Sequence, residues 1–194
     1  MWVFITNFGD SAVTLPLALL TCSFLAAARK TRLAFCWGLA ILGCAGAISV
    51  LKLVLAICDH RYAISGLHSP SGHTAMSTAV YGSMSLLIAW VSRPAARVLV
   101  YLGGLALIAG IAASRLALCL HTPAEVTVGL VIGASAVIGF RMMLASERDM
   151  ALPIHWLIGA AAILVIFLHG ERWPAEQALG ELNWFIQFLI PICS

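Results

Sequence analysis

The chain has 194 residues, 62% of them hydrophobic and only 10% charged, with a mean hydropathy of +1.01. Soluble domains run near ~45–50% apolar and ~25% charged, so this composition excludes a water-soluble globular protein and implies an integral membrane one. A formal net charge of +3, scattered along the chain, gives no basic surface for nucleic acid.

At ~20 residues per span, this length accommodates five or six transmembrane helices in one domain covering residues 1–194. In chain order the apolar runs are residues 11–28, 33–58, 74–91, 98–118, 124–144 and 153–169. Only helices and closed barrels satisfy their backbone inside a bilayer, and the runs lack the alternation of barrel strands. The expected fold is therefore an all-α polytopic bundle of about six transmembrane helices with short interfacial helices. Residues 1–8 are one candidate interfacial piece. Residues 179–192 are another, with Glu176, Gly180, Asn183 and Gln187 recurring at three- or four-residue steps and Trp173 and Trp184 nearby. Gly103, Gly104, Gly110, Gly129 and Gly133 allow close helix packing, the last two at GxxxG spacing. The first run has its basic cluster after it rather than before it, which argues against a cleaved signal. Six cysteines form no C-x-x-C pair. Cys58 and Cys119 both lie near polar loops, where a bridge between them is an option.

The loops after the first, third and fifth runs carry Arg29, Lys30, Arg32, Arg93, Arg97, Arg141 and Arg148. The opposite side holds Arg61, Arg115 and Arg172, with Lys52 near the end of the second run. By the positive-inside rule the first set is cytoplasmic. The second side then faces the periplasm or exterior of a bacterial inner membrane.

Two polar strings interrupt the apolar pattern on that second side: Pro70-Ser71-Gly72-His73, and Ser114-Arg115 followed by His121. Polar groups at membrane depth are costly unless paired or wetted, so such clusters mark function. Ser71-Gly72-His73 opens a helix, whose free N–H groups and dipole suit an anion, and Gly72 permits close approach. Arg115 offers a bidentate fork and Lys52, about two turns inside its helix, a point charge. His121 and Glu125 are four apart, on one helix face. A carboxylate there orients the imidazole as a nucleophile, while His73 can protonate a leaving alkoxide.

These strings resemble the second and third motifs of the type 2 phosphatidic acid phosphatase superfamily, PSGH and SRxxxxxHxxxD. The resemblance implies that His121 attacks phosphorus, His73 protonates the leaving group and Glu125 orients His121. It implies that Lys52, Ser71, Gly72, Arg115 and Arg61 hold the phosphoryl oxygens, with no metal or other cofactor required. Two departures stand out. The family's first motif is KxxxxxxRP, yet the arginine position after Lys52 falls on Asp59, and Arg61 comes two places late. Along a continuing helix Arg61 would face away from Lys52, at ~100° per residue. Glu125 stands where the family has aspartate, carrying its carboxylate ~1.5 Å further.

Each reading has a plainer rival. Thr122-Pro123-Ala124-Glu125 is also a capping box with proline at the first helical position, and the two roles for Glu125 compete. Ser71-Gly72-His73 can be an ordinary helix entry, Lys52 a snorkelling anchor, and Ser114 a packing residue. Asp59, His60, His68 and His73 match no zinc-ligand spacing. The expected activity is hydrolysis of a membrane lipid phosphate or polyprenyl pyrophosphate at the outer face of the bilayer. The rivals are a phosphotransferase using the same histidine and a lipid-phosphate binding or transport protein.

Overall fold

The computed structural model describes residues 1–57, 67–146 and 152–171. Among them are seven helices and no strand: α1 (Trp2–Asn7), α2 (Ser11–Ala27), α3 (Thr31–Ile57), α4 (Gly72–Val91), α5 (Pro94–Ala117), α6 (Pro123–Leu144) and α7 (Ile154–Leu168). The all-α polytopic expectation holds. Among the described residues five stretches are long and apolar enough to cross a membrane: Trp2–Ala27, Thr31–Ala56, Gly72–Val91, Pro94–Ala117 and Pro123–Leu144. The sixth expected span, α7, has 15 residues; at 1.5 Å per residue it reaches ~22 Å, short of the ~30 Å hydrocarbon core. The expected interfacial helix at residues 179–192 lies outside the described residues, as do Cys58 and Arg61.

The helix starts follow local chemistry. Proline stands at the first position of α5 and of α6, where its missing N–H costs nothing and its fixed φ is helical. Proline thereby starts α5 at Pro94, four residues before the expected start at residue 98. Asp10, Ser71 and Thr122 cap α2, α4 and α6 through their side-chain oxygens.

The bundle is built around α4, which packs against α2, α3, α5 and α6. Its inner positions are small: Thr74, Ala75, Ser77, Thr78, Ala79 and Ser83 are buried. Close approach is completed from α6, where a Cβ on Gly129 would lie 2.7 Å from the Ser71 carbonyl oxygen and one on Gly133 2.5 Å from that of Ala75. The GxxxG spacing thus serves packing within the chain. Further along the bundle, Trp37 of α3 and Phe140 of α6 meet edge-to-face at 5.3 Å. The Trp37 indole N–H donates to the Ala18 carbonyl of α2 at 2.9 Å, so its one polar atom is satisfied in the core. Outward-facing Phe35, Leu42, Leu99, Leu105, Ile163, Ile166 and Phe167 are largely exposed, the surface that lipid tails cover.

Candidate active site

The C-terminal end of α5 and the N-terminal ends of α4 and α6 meet at one end of the bundle, and both polar strings lie there. A reversal of three residues carries the chain from α5 to His121. Cys119 takes a left-handed φ of 53°. The Leu120 N–H then donates to the Arg115 carbonyl and the Cys119 N–H to that of Leu116, the Schellman pattern of helix termination. Glycine normally occupies such a position; without one, the left-handed turn is not legible in the sequence, although the break between the apolar runs at residues 118 and 124 is.

Glu125 is the hub. Its Oε2 lies 2.9 Å from His121 Nδ1 and accepts the Thr122 N–H at 3.1 Å. Its Oε1 accepts the His68 and Ser69 N–H groups at 2.9 and 2.7 Å. The Glu125 carbonyl also accepts the Ser71 N–H at 3.1 Å. The contacts behind the two readings set against each other above are both present, because one oxygen meets the histidine and closes the capping box. The other oxygen ties down the loop that leads into Pro70-Ser71-Gly72-His73. The geometry fixes the His121 tautomer: Nδ1 donates to the carboxylate, which leaves Nε2 with its lone pair.

Burial lowers the His121 pKa below its ordinary 6.5; the Glu125 carboxylate pulls it up, and the Arg115 and Lys52 charges push it down. The net direction favours a neutral imidazole, the form able to attack phosphorus. Arg115 is buried in the last turn of α5, where a cation suits the helix dipole. Its Nη1 donates to Thr6 Oγ1 at 3.2 Å. Lys52, half-buried on α3, brings its Nζ to 3.7 Å from where a Gly72 Cβ would stand. Lys52 thus belongs to the site end and lies beside the start of α4.

Ser71 is fully buried and works first as a cap. Its Oγ accepts Thr74 Oγ1 at 2.9 Å and Thr74 N at 3.4 Å. Ser114, also fully buried, donates to the Ile111 carbonyl and packs. Among the described residues no three His, Cys, Asp or Glu side chains gather as a metal site.

Sequence reasoning missed the contribution of the N-terminus. Helix α1, expected only as an interfacial piece, packs against α5 and supplies Thr6 to Arg115. The following turn brings Asp10 Oδ2 to 3.5 Å from His73 Nε2. The only local signal was Asp10 before Ser11, which reads as a helix cap and nothing more.

The sequence profile described as PAP2 superfamily matches residues 53–148. That segment holds Ser71, Gly72, His73, Arg115, His121 and Glu125 and begins one residue after Lys52. The protein named "Uncharacterized 22.5 kDa protein in cps region" from Klebsiella pneumoniae is 32% identical over 191 residues, spanning 93% of this chain and 89% of that one. No solved structure matches significantly.

Proposed function

The chain belongs to the PAP2 superfamily, and on that premise we propose that it hydrolyses a lipid phosphate or polyprenyl pyrophosphate through a phosphohistidine on His121. Membership carries phosphatase or phosphotransferase chemistry in a membrane protein; the substrate class, the intermediate and the outward orientation are our reading. The observation that carries it is the 2.9 Å contact between His121 Nδ1 and Glu125 Oε2, which leaves Nε2 as a neutral, oriented nucleophile beside Lys52 and Arg115.

In the first step His121 Nε2 forms a bond to phosphorus while the bond to the leaving oxygen breaks. His73 gives that oxygen its proton. Glu125 holds the His121 Nδ1 proton as positive charge grows on the ring. Lys52, Arg115 and the open N–H groups at the start of α4 hold the phosphoryl oxygens. In the second step water attacks phosphorus, a proton returns to His73, and phosphate leaves His121. A headgroup substrate fits because the site lies at one end of a bundle of membrane-spanning helices. The basic residues of the opposite end favour an outward site by the positive-inside rule.

A phosphotransferase would differ only in replacing water by a second lipid. The pure-binder alternative predicts no reason for an oriented nucleophile, and the His121–Glu125 contact weighs against it. The test is phosphate release by detergent-purified protein in EDTA. The panel is phosphatidic acid, phosphatidylglycerol phosphate, polyprenyl pyrophosphate and lipid A phosphate, with His121→Asn alongside. Release that vanishes in the variant supports the reading. Binding of a lipid with no release, undiminished in His121→Asn, would favour the binder.

A further inference from the structure

Asp10 and His73 are 63 residues apart in sequence, yet the fold sets their side chains together, both largely buried. The two carboxylate oxygens have different partners. Oδ1 accepts the Ala12 N–H at 2.9 Å and caps α2; Oδ2 faces His73 Nε2 at 3.5 Å.

The turn that carries Asp10 is built against the site rather than laid over it. The buried Tyr81 hydroxyl donates to the Phe8 carbonyl at 2.6 Å. Gly9 is wedged so tightly that a Cβ would fall 2.8 Å from Ile111 Cγ2 and 2.9 Å from Ser77 Oγ. Ser77 in turn donates to the His73 carbonyl. Three residues before that wedge, the same segment presents Thr6 to Arg115. A single short stretch, Thr6 to Asp10, therefore contacts both the arginine at the phosphate and the histidine at the leaving group.

We propose that Asp10 is a positioning residue for His73, holding Nε2–H so that Nδ1 presents its proton to the leaving oxygen. The idea rests on the phosphohydrolase reading above. In the step it serves, the phosphorus–oxygen bond breaks, the leaving oxygen takes the proton from His73 Nδ1, and His73 becomes neutral with its remaining proton on Nε2 toward Asp10. A separation of 3.5 Å suits a resting site, since catalytic hydrogen bonds tighten once substrate is bound. The arrangement repeats across the site the logic of His121 and Glu125: one ring nitrogen on a carboxylate, the other toward the reaction.

The test uses Asp10→Asn and Asp10→Ser, both good caps, in the full-length protein. Single-turnover release of the alcohol is followed from phosphatidic acid, a poor leaving group, and from p-nitrophenyl phosphate, a good one. A lost proton donor harms the first far more than the second. The expected result for Asp10→Asn is a ~30-fold or greater loss on phosphatidic acid, part of the ~10²–10⁴ that general-acid catalysis contributes, and less than ~3-fold on the aryl ester. Adding Asp10→Asn to His73→Ala should cost nothing further. Equal losses on both substrates, or none on either, would overturn the proposal while leaving the phosphatase intact. A wild-type protein inert toward these two and toward the rest of the lipid panel would instead overturn the phosphatase reading, and the proposal with it.

Discussion

The two histidine–carboxylate pairs are made in opposite ways. His121 and Glu125 are four residues apart at the start of α6 and 2.9 Å from each other. His121 precedes the Thr122 N-cap and so lies outside α6, not on its face; the two meet because the capping box turns the Glu125 side chain back over the helix entry. Asp10 and His73 come from a turn and from a different helix, at 3.5 Å, and meet only if α1 docks on α5 and Gly9 fits against α4. The first pair is locally encoded and held by four hydrogen bonds to one carboxylate. The second depends on tertiary packing and shares its carboxylate with a helix cap. A local pair should tolerate distant changes, and an assembled pair should fail whenever its docking surface is disturbed.

The largest expected effect comes from the local pair. His121→Asn should lower kcat by about four orders of magnitude or more, the scale seen when a nucleophile is removed, with lipid binding kept. Glu125→Gln keeps the shape but not the charge, and a loss of about 10²–10⁴ in kcat is expected from the orienting role alone. Glu125→Asp should fare poorly too, since a carboxylate ~1.5 Å shorter cannot hold His121 and the His68–Ser69 N–H groups together. Full activity in Glu125→Asp would break the view of Glu125 as a bridge between the motifs.

The pH profile sharpens the contrast. His121 attacks only when neutral, and burial sets its pKa below 6.5. The acid limb of kcat/KM should therefore lie below pH 6.5, with activity falling as the pH drops through that lowered value. Because Glu125 pulls the His121 pKa upward, the residual activity of Glu125→Gln should show its acid limb at still lower pH. Asp10→Asn should leave this limb where it is. An acid limb above pH 6.5 in the wild type would contradict the neutral nucleophile.

Packing variants probe the assembled pair. Gly9→Ala pushes a methyl group into Ile111 and Ser77 and should mimic Asp10→Asn on phosphatidic acid, alongside an overpacking cost of about 1–3 kcal/mol in thermal unfolding. Thr6→Val removes the hydrogen bond to Arg115 and should raise KM about 3–10-fold with little change in kcat, in keeping with ~1 kcal/mol for one hydrogen bond. The smallest effect is expected at Cys119, whose left-handed backbone favours glycine. Cys119→Gly should raise stability by roughly 0.5–1 kcal/mol, read as a small increase in melting temperature, with activity unchanged.

What was legible in the sequence follows the same division. Hydropathy and the two polar strings located the helices and six of the eight expected site residues, because motif and helix start coincide at Ser71-Gly72-His73 and at His121 to Glu125. Lys52 was readable from its depth on an apolar run, and the structure sets it beside Gly72. Arg61 lies outside the described residues. The dual use of Glu125 was only half readable: the capping box shows in four consecutive residues, whereas the bonds to His68 and Ser69 cross more than fifty residues of chain. Asp10 and Thr6 were illegible as site residues because nothing in an apolar N-terminus with one capping aspartate points to a histidine 63 positions away. The weaker hydrophobic length of α7 also hides in a run that extends through Pro153 and His169, both outside the helix itself.

The central claim is that His121 carries the phosphoryl group, and the most direct measurement is to trap it. Wild-type protein mixed with radiolabelled lipid phosphate and quenched in alkaline denaturant should retain label that is stable to base, labile to acid and mapped to His121 by peptide mass spectrometry. The account predicts that label in the wild type and none in His121→Asn. Turnover with no trapped label under single-turnover conditions, or label on any other side chain, would contradict it.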